Sequence, residues 1–138
     1  MSQNYQNHVR FSPPFHFFTV PFTLIGIALS IYMLIKQTDL THTLIALAFI
    51  LIGFTLIFAR FYALKAQDRA ARADERLRYY ILSGKMLPSV LKMSQILALR
   101  FASDEEFVAL VDITIKENLS SKNIKLAIKD WRGDYHRI

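Results

Sequence analysis

A chain of 138 residues without cysteine has no disulfide framework and lacks the commonest zinc ligand. Its net charge is +6, but more than half of its apolar residues crowd into the first 64 positions, so the location of the charge says more than its total. The excess Lys and Arg flank an apolar block, where membrane orientation accounts for them before nucleic acid does, and no nucleic-acid partner is expected.

Residues 1–14 are polar and aromatic, and Pro13 with Pro14 is expected to bar a regular helix just before the apolar block. The segment is expected to fold back on the tail, with Tyr5, Phe11 or Phe15 as anchors. Two apolar runs follow, at about 15–35 and 43–64. At about 1.5 Å of rise per residue each is long enough for a hydrocarbon core of about 30 Å. A signal peptide is disfavoured, because the first run ends in bulky residues and Lys36, without a small-residue cleavage site. The pair predicts a transmembrane hairpin over 15–64, closed by the polar loop Lys36 to His42.

From Arg60 to Lys85 there are seven Lys or Arg against three acids, whereas the loop carries Lys36 and Asp39. Positive flanks stay in the cytoplasm, so both termini are expected there. Arg60 and Tyr62 fall where the second span leaves the bilayer, which fits an interfacial anchor.

No Gly or Pro interrupts residues 54–83, so one helix is predicted from about Thr43 to about Leu82, continuing from the bilayer into water. Along it runs a seam at alternating four and three spacings: Ile45, Phe49, Ile52, Leu56, Ala59, Ala63, Ala66, Ala70, Ala73, Leu77, Tyr80. This heptad-like, coiled-coil pattern places small side chains where another helix can approach closely. Ala59, Ala63, Ala66, Ala70, Ala73 and Leu77 are therefore the candidate packing seam, against a second copy or the chain's own tail. Lys65, Arg69, Arg72 and Arg76 form a basic stripe beside it. Arg60, Lys65 and Arg69 are close enough to the exit to meet anionic headgroups. Asp68 with Arg72, and Asp74 with Arg78, are expected as i,i+4 ion pairs.

In the tail, residues 65–138, Gly84 suits a left-handed helix stop and Pro88 the first turn of a new helix to about Arg100, with Val90, Met93, Leu97 and Phe101 inward. Ser103 and Glu106 read as a capping box opening a helix from Asp104 to about Asn118 that buries Phe107, Leu110, Val111 and Ile115. Ser121 is expected to cap a last helix with Ile124, Ala127, Ile128 and Trp131 on its apolar side. Phe101, Phe107, Leu110, Ile124, Ile128 and Trp131 are thus the predicted tail packing. The fold class is an all-α membrane protein with three short cytoplasmic helices.

The four His, at 8, 16, 42 and 136, lie in separate segments without metal-site spacing, and no phosphate loop, nucleophile elbow or paired-carboxylate motif occurs. No enzyme activity, cofactor or metal is expected. Arg132-Gly133-Asp134 spells an adhesion tripeptide, which a cytoplasmic terminus makes a coincidence.

The stretches QNYQNHVRFSPPFHF, ALKAQDRAARADERLR, ALRFASDEEF and IKDWRGDYHRI resemble an uncharacterised family of small bacterial membrane proteins carrying a domain of unknown function. In that family Pro is common where Gly133 stands. The resemblance implies two spans and a cytoplasmic helical tail in a bacterial inner membrane, and brings no activity. The expected partners are the lipid bilayer with its anionic headgroups and a second copy or another membrane protein. The expected role is a structural or interaction subunit; an oligomeric pore or transport accessory is the alternative, although the spans offer few polar residues to line a lumen.

Overall fold

The computed structural model describes residues 4–7 and 11–133. Among these the chain is helical, with two helices long and apolar enough to cross a membrane, Pro14–Lys36 and Leu40–Ser83. The first comprises a π-helical segment, Pro14–Thr19, and α1, Val20–Lys36. The second is α2, Leu40–Ser83, about 66 Å at the helical rise. Three short helices follow: α3, Met93–Leu99; α4, Asp104–Glu117; and α5, Ser121–Ala127. Contacts divide the chain into two units, residues 10–64 and residues 65–137 with 1–9. His8, Arg10, Asp134 and His136 lie outside the described residues.

In the first unit no helix precedes Pro13 among the described residues, and the helix opens at the prolines. Pro14 occupies the first turn, where its missing N–H has no intrahelical partner to lose. Pro21, seven residues on, would disturb a regular ladder, and the chain widens just before it: the Val20 N–H donates to the Phe15 carbonyl five residues back. Side-chain hydroxyls add local bonds, Thr19 to the Pro14 carbonyl at 3.1 Å and Thr23 to the Thr19 carbonyl at 2.7 Å. The hairpin turn is set by Asp39, whose carboxylate accepts the His42 N–H at 2.8 Å and so caps α2. These bonds from His42 hold the Asp39 carboxyl below its usual range.

Close approach of α1 and α2 depends on glycine. A Cβ at Gly26 would overlap the Phe49 ring, and one at Gly53 would stand 3.2 Å from Ile27. Ala46 and Ser30 are buried beside them, the Ser30 hydroxyl bonded to the Ile27 carbonyl at 2.9 Å.

In the second unit α2 stops at Gly84, whose φ of +69° is the left-handed conformation anticipated there. Pro88 does not begin a helix. It sits in a turn, and α3 starts at Met93, where the Lys92 N–H donates to Gln95 Oε1 at 2.8 Å. The inward face shifts accordingly: Val90 is exposed, while Leu91, Ile96, Ala98 and Leu99 are buried. α3 lies against both α4 and α5, so positions on either side of it are covered and a one-sided 3.6 pattern cannot predict them.

On α4 the buried side chains are Phe107, Leu110, Val111 and Thr114; Ile115, expected inside, is 37% exposed. Thr114 completes the i, i+3, i+4, i+7 stripe, and Ile115 lies one position beyond it. α5 is capped by Ser120, whose hydroxyl accepts the Asn123 N–H at 3.2 Å, and not by Ser121, which donates to the Ser94 carbonyl at 2.9 Å. The helix ends at Ala127, leaving that residue exposed and Trp131 beyond the helix. Trp131 instead pairs with Ala102 as an isolated antiparallel bridge.

Gly26→Leu forces the Phe49 ring aside in a close helix pair. Overpacking of this kind typically costs about 1–3 kcal/mol. The expected outcome is a lower thermal unfolding midpoint in mild detergent, measured against wild type.

Candidate functional site

The charged half of α2 has two different sides. In the heptad that places Ala66 and Ala73 at d and Ala70 and Leu77 at a, the b, c and f positions between residues 66 and 80 are Asp68, Ala71, Arg72, Glu75, Arg78 and Tyr79. All six are buried or half-buried. The seam itself, Ala66, Ala70, Ala73, Leu77 and Tyr80, is exposed, Leu77 at 61% and Tyr80 at 52%. At Arg78 and Tyr79 the tail packs on this back side of the helix. The chain's own tail, one of the two packing partners anticipated for these seam residues, does not cover them.

Arg78 organises that back surface. Its Nε donates to Asp104 at 2.6 Å, one terminal nitrogen to Glu75 at 3.1 Å and the other to the Ala102 carbonyl at 2.7 Å. The guanidinium carbon lies 4.3 Å from the centre of the Phe107 ring, and Tyr79 meets the same ring edge-on at 6.1 Å between centroids. Asp104 is the first residue of α4, where the helix dipole also favours its charge. The i,i+4 pair expected between Asp74 and Arg78 is thus replaced by an i,i+3 pair with Glu75 and a long-range pair with Asp104. Burial pushes the Glu75 carboxyl above its usual range, with Arg78 pulling the other way.

The chain's last described residues close this assembly. The Ser103 N–H donates to the Asp130 carbonyl at 3.0 Å and the Arg132 N–H to the Phe101 carbonyl at 2.8 Å. The Glu106 carboxylate accepts the N–H groups of Lys129 and Asp130, both at 3.2 Å. Ser103 makes no side-chain cap, so the two residues read as a capping box serve a tertiary clasp. Phe101 faces Trp131 at 5.1 Å. Phe101, Phe107, Leu110, Ile124 and Ile128 share one core with Tyr79, and Trp131 packs on it half-buried.

Between α2 and this clasp lies a cavity of about 290 Å³, with an apolar wall of Leu77, Ile81 and Leu82 and a polar wall of Asp74, Glu75, Asp104 and Arg132. Among the described residues no three His, Asp or Glu gather as a metal site requires. In the other unit, Ala63 and seam residues Phe49 and Leu56 are half-buried, Ala59 is exposed, and Arg60 lies over the Phe15 ring at 5.5 Å. Lys65 and Arg69 are exposed. Glu75, Arg78 and Tyr79 were not singled out from the sequence as packing residues. Their signal was present as an i, i+3, i+4 set opposite the alanines, masked by two charged members.

Agreement with a family model over residues 1–138 decides the kinship. The chain belongs to DUF6526, a family of unknown function. No curated protein and no solved structure matches it. The kinship read from the sequence motifs holds at that level, and the DUF6526 model brings no activity with it.

Two outcomes are expected. Arg78→Met leaves Glu75 charged and buried without its guanidinium, and loss of one partner of a buried pair costs about 3–5 kcal/mol; amide exchange in α4 and the 99–103 segment should accelerate together. The second concerns pH. Because the folded-state pKa of Glu75 is raised, the folded form holds its proton more tightly than the unfolded chain. The Glu75 contribution is therefore present at low pH and is lost as pH rises from the usual carboxylate range through its raised value. Glu75→Gln should flatten that segment of the stability profile in thermal melts.

Proposed function

We propose that this protein is a non-enzymatic integral membrane subunit that assembles through the free side of its long second helix. In this reading Pro14–Lys36 and the apolar first half of α2 cross a bacterial inner membrane as a hairpin. Both chain ends and the helical tail are then cytoplasmic, with Arg60, Lys65 and Arg69 at the headgroup level. The hairpin is supported by exposure: only 6% of each apolar window is buried within the chain, whereas a soluble core helix is mostly buried, and lipid would cover the rest. The basic flank from Arg60 to Lys85 supports the orientation.

The observation that carries assembly is the division of α2 described above. The tail takes the back of the helix and leaves Ala66, Ala70, Ala73, Leu77 and Tyr80 uncovered. Water gives no reason to keep a heptad seam on a bare helix. A solvated stalk needs none.

Replacing Ala66 and Ala70 together by Leu places bulk where two backbones approach, at a typical cost of about 1–3 kcal/mol. The variant should run as a smaller species than wild type after extraction in mild detergent, while amide protection in α4 and α5 is retained. An unchanged assembly size would show that the helix is a stalk.

A further inference from the structure

We propose that the partner on this face is a second copy of the same chain, parallel and in register, with Arg69 of each copy seated against Asp74 of the other at the mouth of the cavity. The inference rests on assembly through α2 and specifies the occupant.

Charge complementarity selects the occupant. In the heptad fixed by Ala66, Ala70, Ala73 and Leu77, Arg69 and Arg76 fall at g, and Asp74 and Ile81 at e. All four are exposed, and Arg69, Asp74 and Arg76 have no ion-pair partner among the described residues. In a parallel two-stranded coil a g residue meets the e residue five positions further along the other strand. Arg69 therefore meets Asp74, and two-fold symmetry supplies the pair twice. The same rule lays the Arg76 stem of one copy over Ile81 of the other, covering a side chain that is 72% exposed in the single chain.

The larger side chains agree with the charges. Leu77 and Ile81 form the apolar wall of the cavity of about 290 Å³ whose polar rim includes Asp74. Among the described residues this carboxylate is thus unpaired beside open apolar surface, an arrangement suited to a guanidinium on an aliphatic stem. Arg78, the buried cation at that cavity, is already committed to Glu75, Asp104 and the Ala102 carbonyl. The orientation follows from the membrane reading, since copies sharing a bilayer topology send α2 out on the same side. An antiparallel pairing is then not accessible.

The full-length protein carrying either of two distinguishable tags is reconstituted in lipid nanodiscs large enough for two copies, and co-capture of one tag by the other is measured. Arg69→Asp gives a chain with acids at both positions, and Asp74→Arg gives one with two cations. Each variant alone should associate roughly tenfold more weakly than wild type, as expected when two exposed pairs turn from attraction to repulsion. Mixing the two variants restores both pairs, so co-capture should return to the wild-type level, which also shows that each variant is folded. A second readout uses the absence of native cysteine: a single Cys at position 70 or 77 should form a disulfide-linked dimer on mild oxidation, and one at position 68 or 75 should not.

Variants that associate as well as wild type, or a mixture that is not rescued, would overturn the pairing and its register. A wild-type protein that stays monomeric in nanodiscs would overturn the second copy. Assembly through α2 with a different protein would then survive if the Ala66 and Ala70 double variant still reduces the size of the complex extracted from native membranes.

Discussion

One cation, Arg78, fixes how the tail docks on α2. A guanidinium offers five N–H groups in a rigid plane, and Arg78 directs them to Glu75 on its own helix, to Asp104 at the start of α4 and to the Ala102 carbonyl. Its face rests on Phe107, which is fully buried. Because the donors are coplanar, satisfying all three acceptors fixes the position of α4 and the Ala102 segment at once. The desolvation cost of burying Glu75 shows in its raised pKa. Such a pair contributes little net stability compared with apolar packing, but it specifies one docking geometry.

Orientation of the helix about its own axis follows from that geometry. Arg78 belongs to the b, c, f side of the heptad, the side on which Ala71, Arg72, Glu75 and Tyr79 are buried or half-buried, while Ala66, Ala70 and Ala73 stay outward. The clasp built by Glu106 on the N–H groups of Lys129 and Asp130, with the bridge between Ala102 and Trp131, completes the core behind it. Neither feature needs the outward face. The apolar half of α2 uses its repeat differently: Gly26 lets Phe49 approach α1, and Gly53 admits Ile27. One periodic sequence thus meets α1 in its apolar half and stays exposed in its charged half.

Much of the fold is legible in the sequence. The absence of Gly and Pro between residues 54 and 83 and the good helix formers there account for the length of α2, and Gly84 for its end. Other elements were misplaced for identifiable reasons. The rule that Pro opens a helix holds for Pro14 but not for Pro88, because turn geometry near Leu87, itself a core residue, competes with helix initiation. Ser103 and Glu106 have the spacing of a capping box, yet two backbone N–H groups from residues 129 and 130 reach the carboxylate instead. Ile115 is more apolar than Thr114, but helix phase, not hydropathy, selects which of the two is buried.

By itself the sequence determined the class of elements, the two apolar helices, the uninterrupted run of α2 and the existence of a small-residue seam, because each depends on neighbours within one or two turns. Tertiary structure alone decided which side of α2 the tail would occupy. Sequence periodicity marks a face but does not say what covers it, and Arg78 could satisfy Asp74, Glu75 or Asp104 by local spacing or distant approach. Choosing Glu75 and Asp104 required α4 to arrive 26 residues later along the chain with its N-terminus against the guanidinium. That contact, with those of Arg78 to the Ala102 carbonyl and of Tyr79 to Phe107, covers one side of the helix, and no local pattern encodes them.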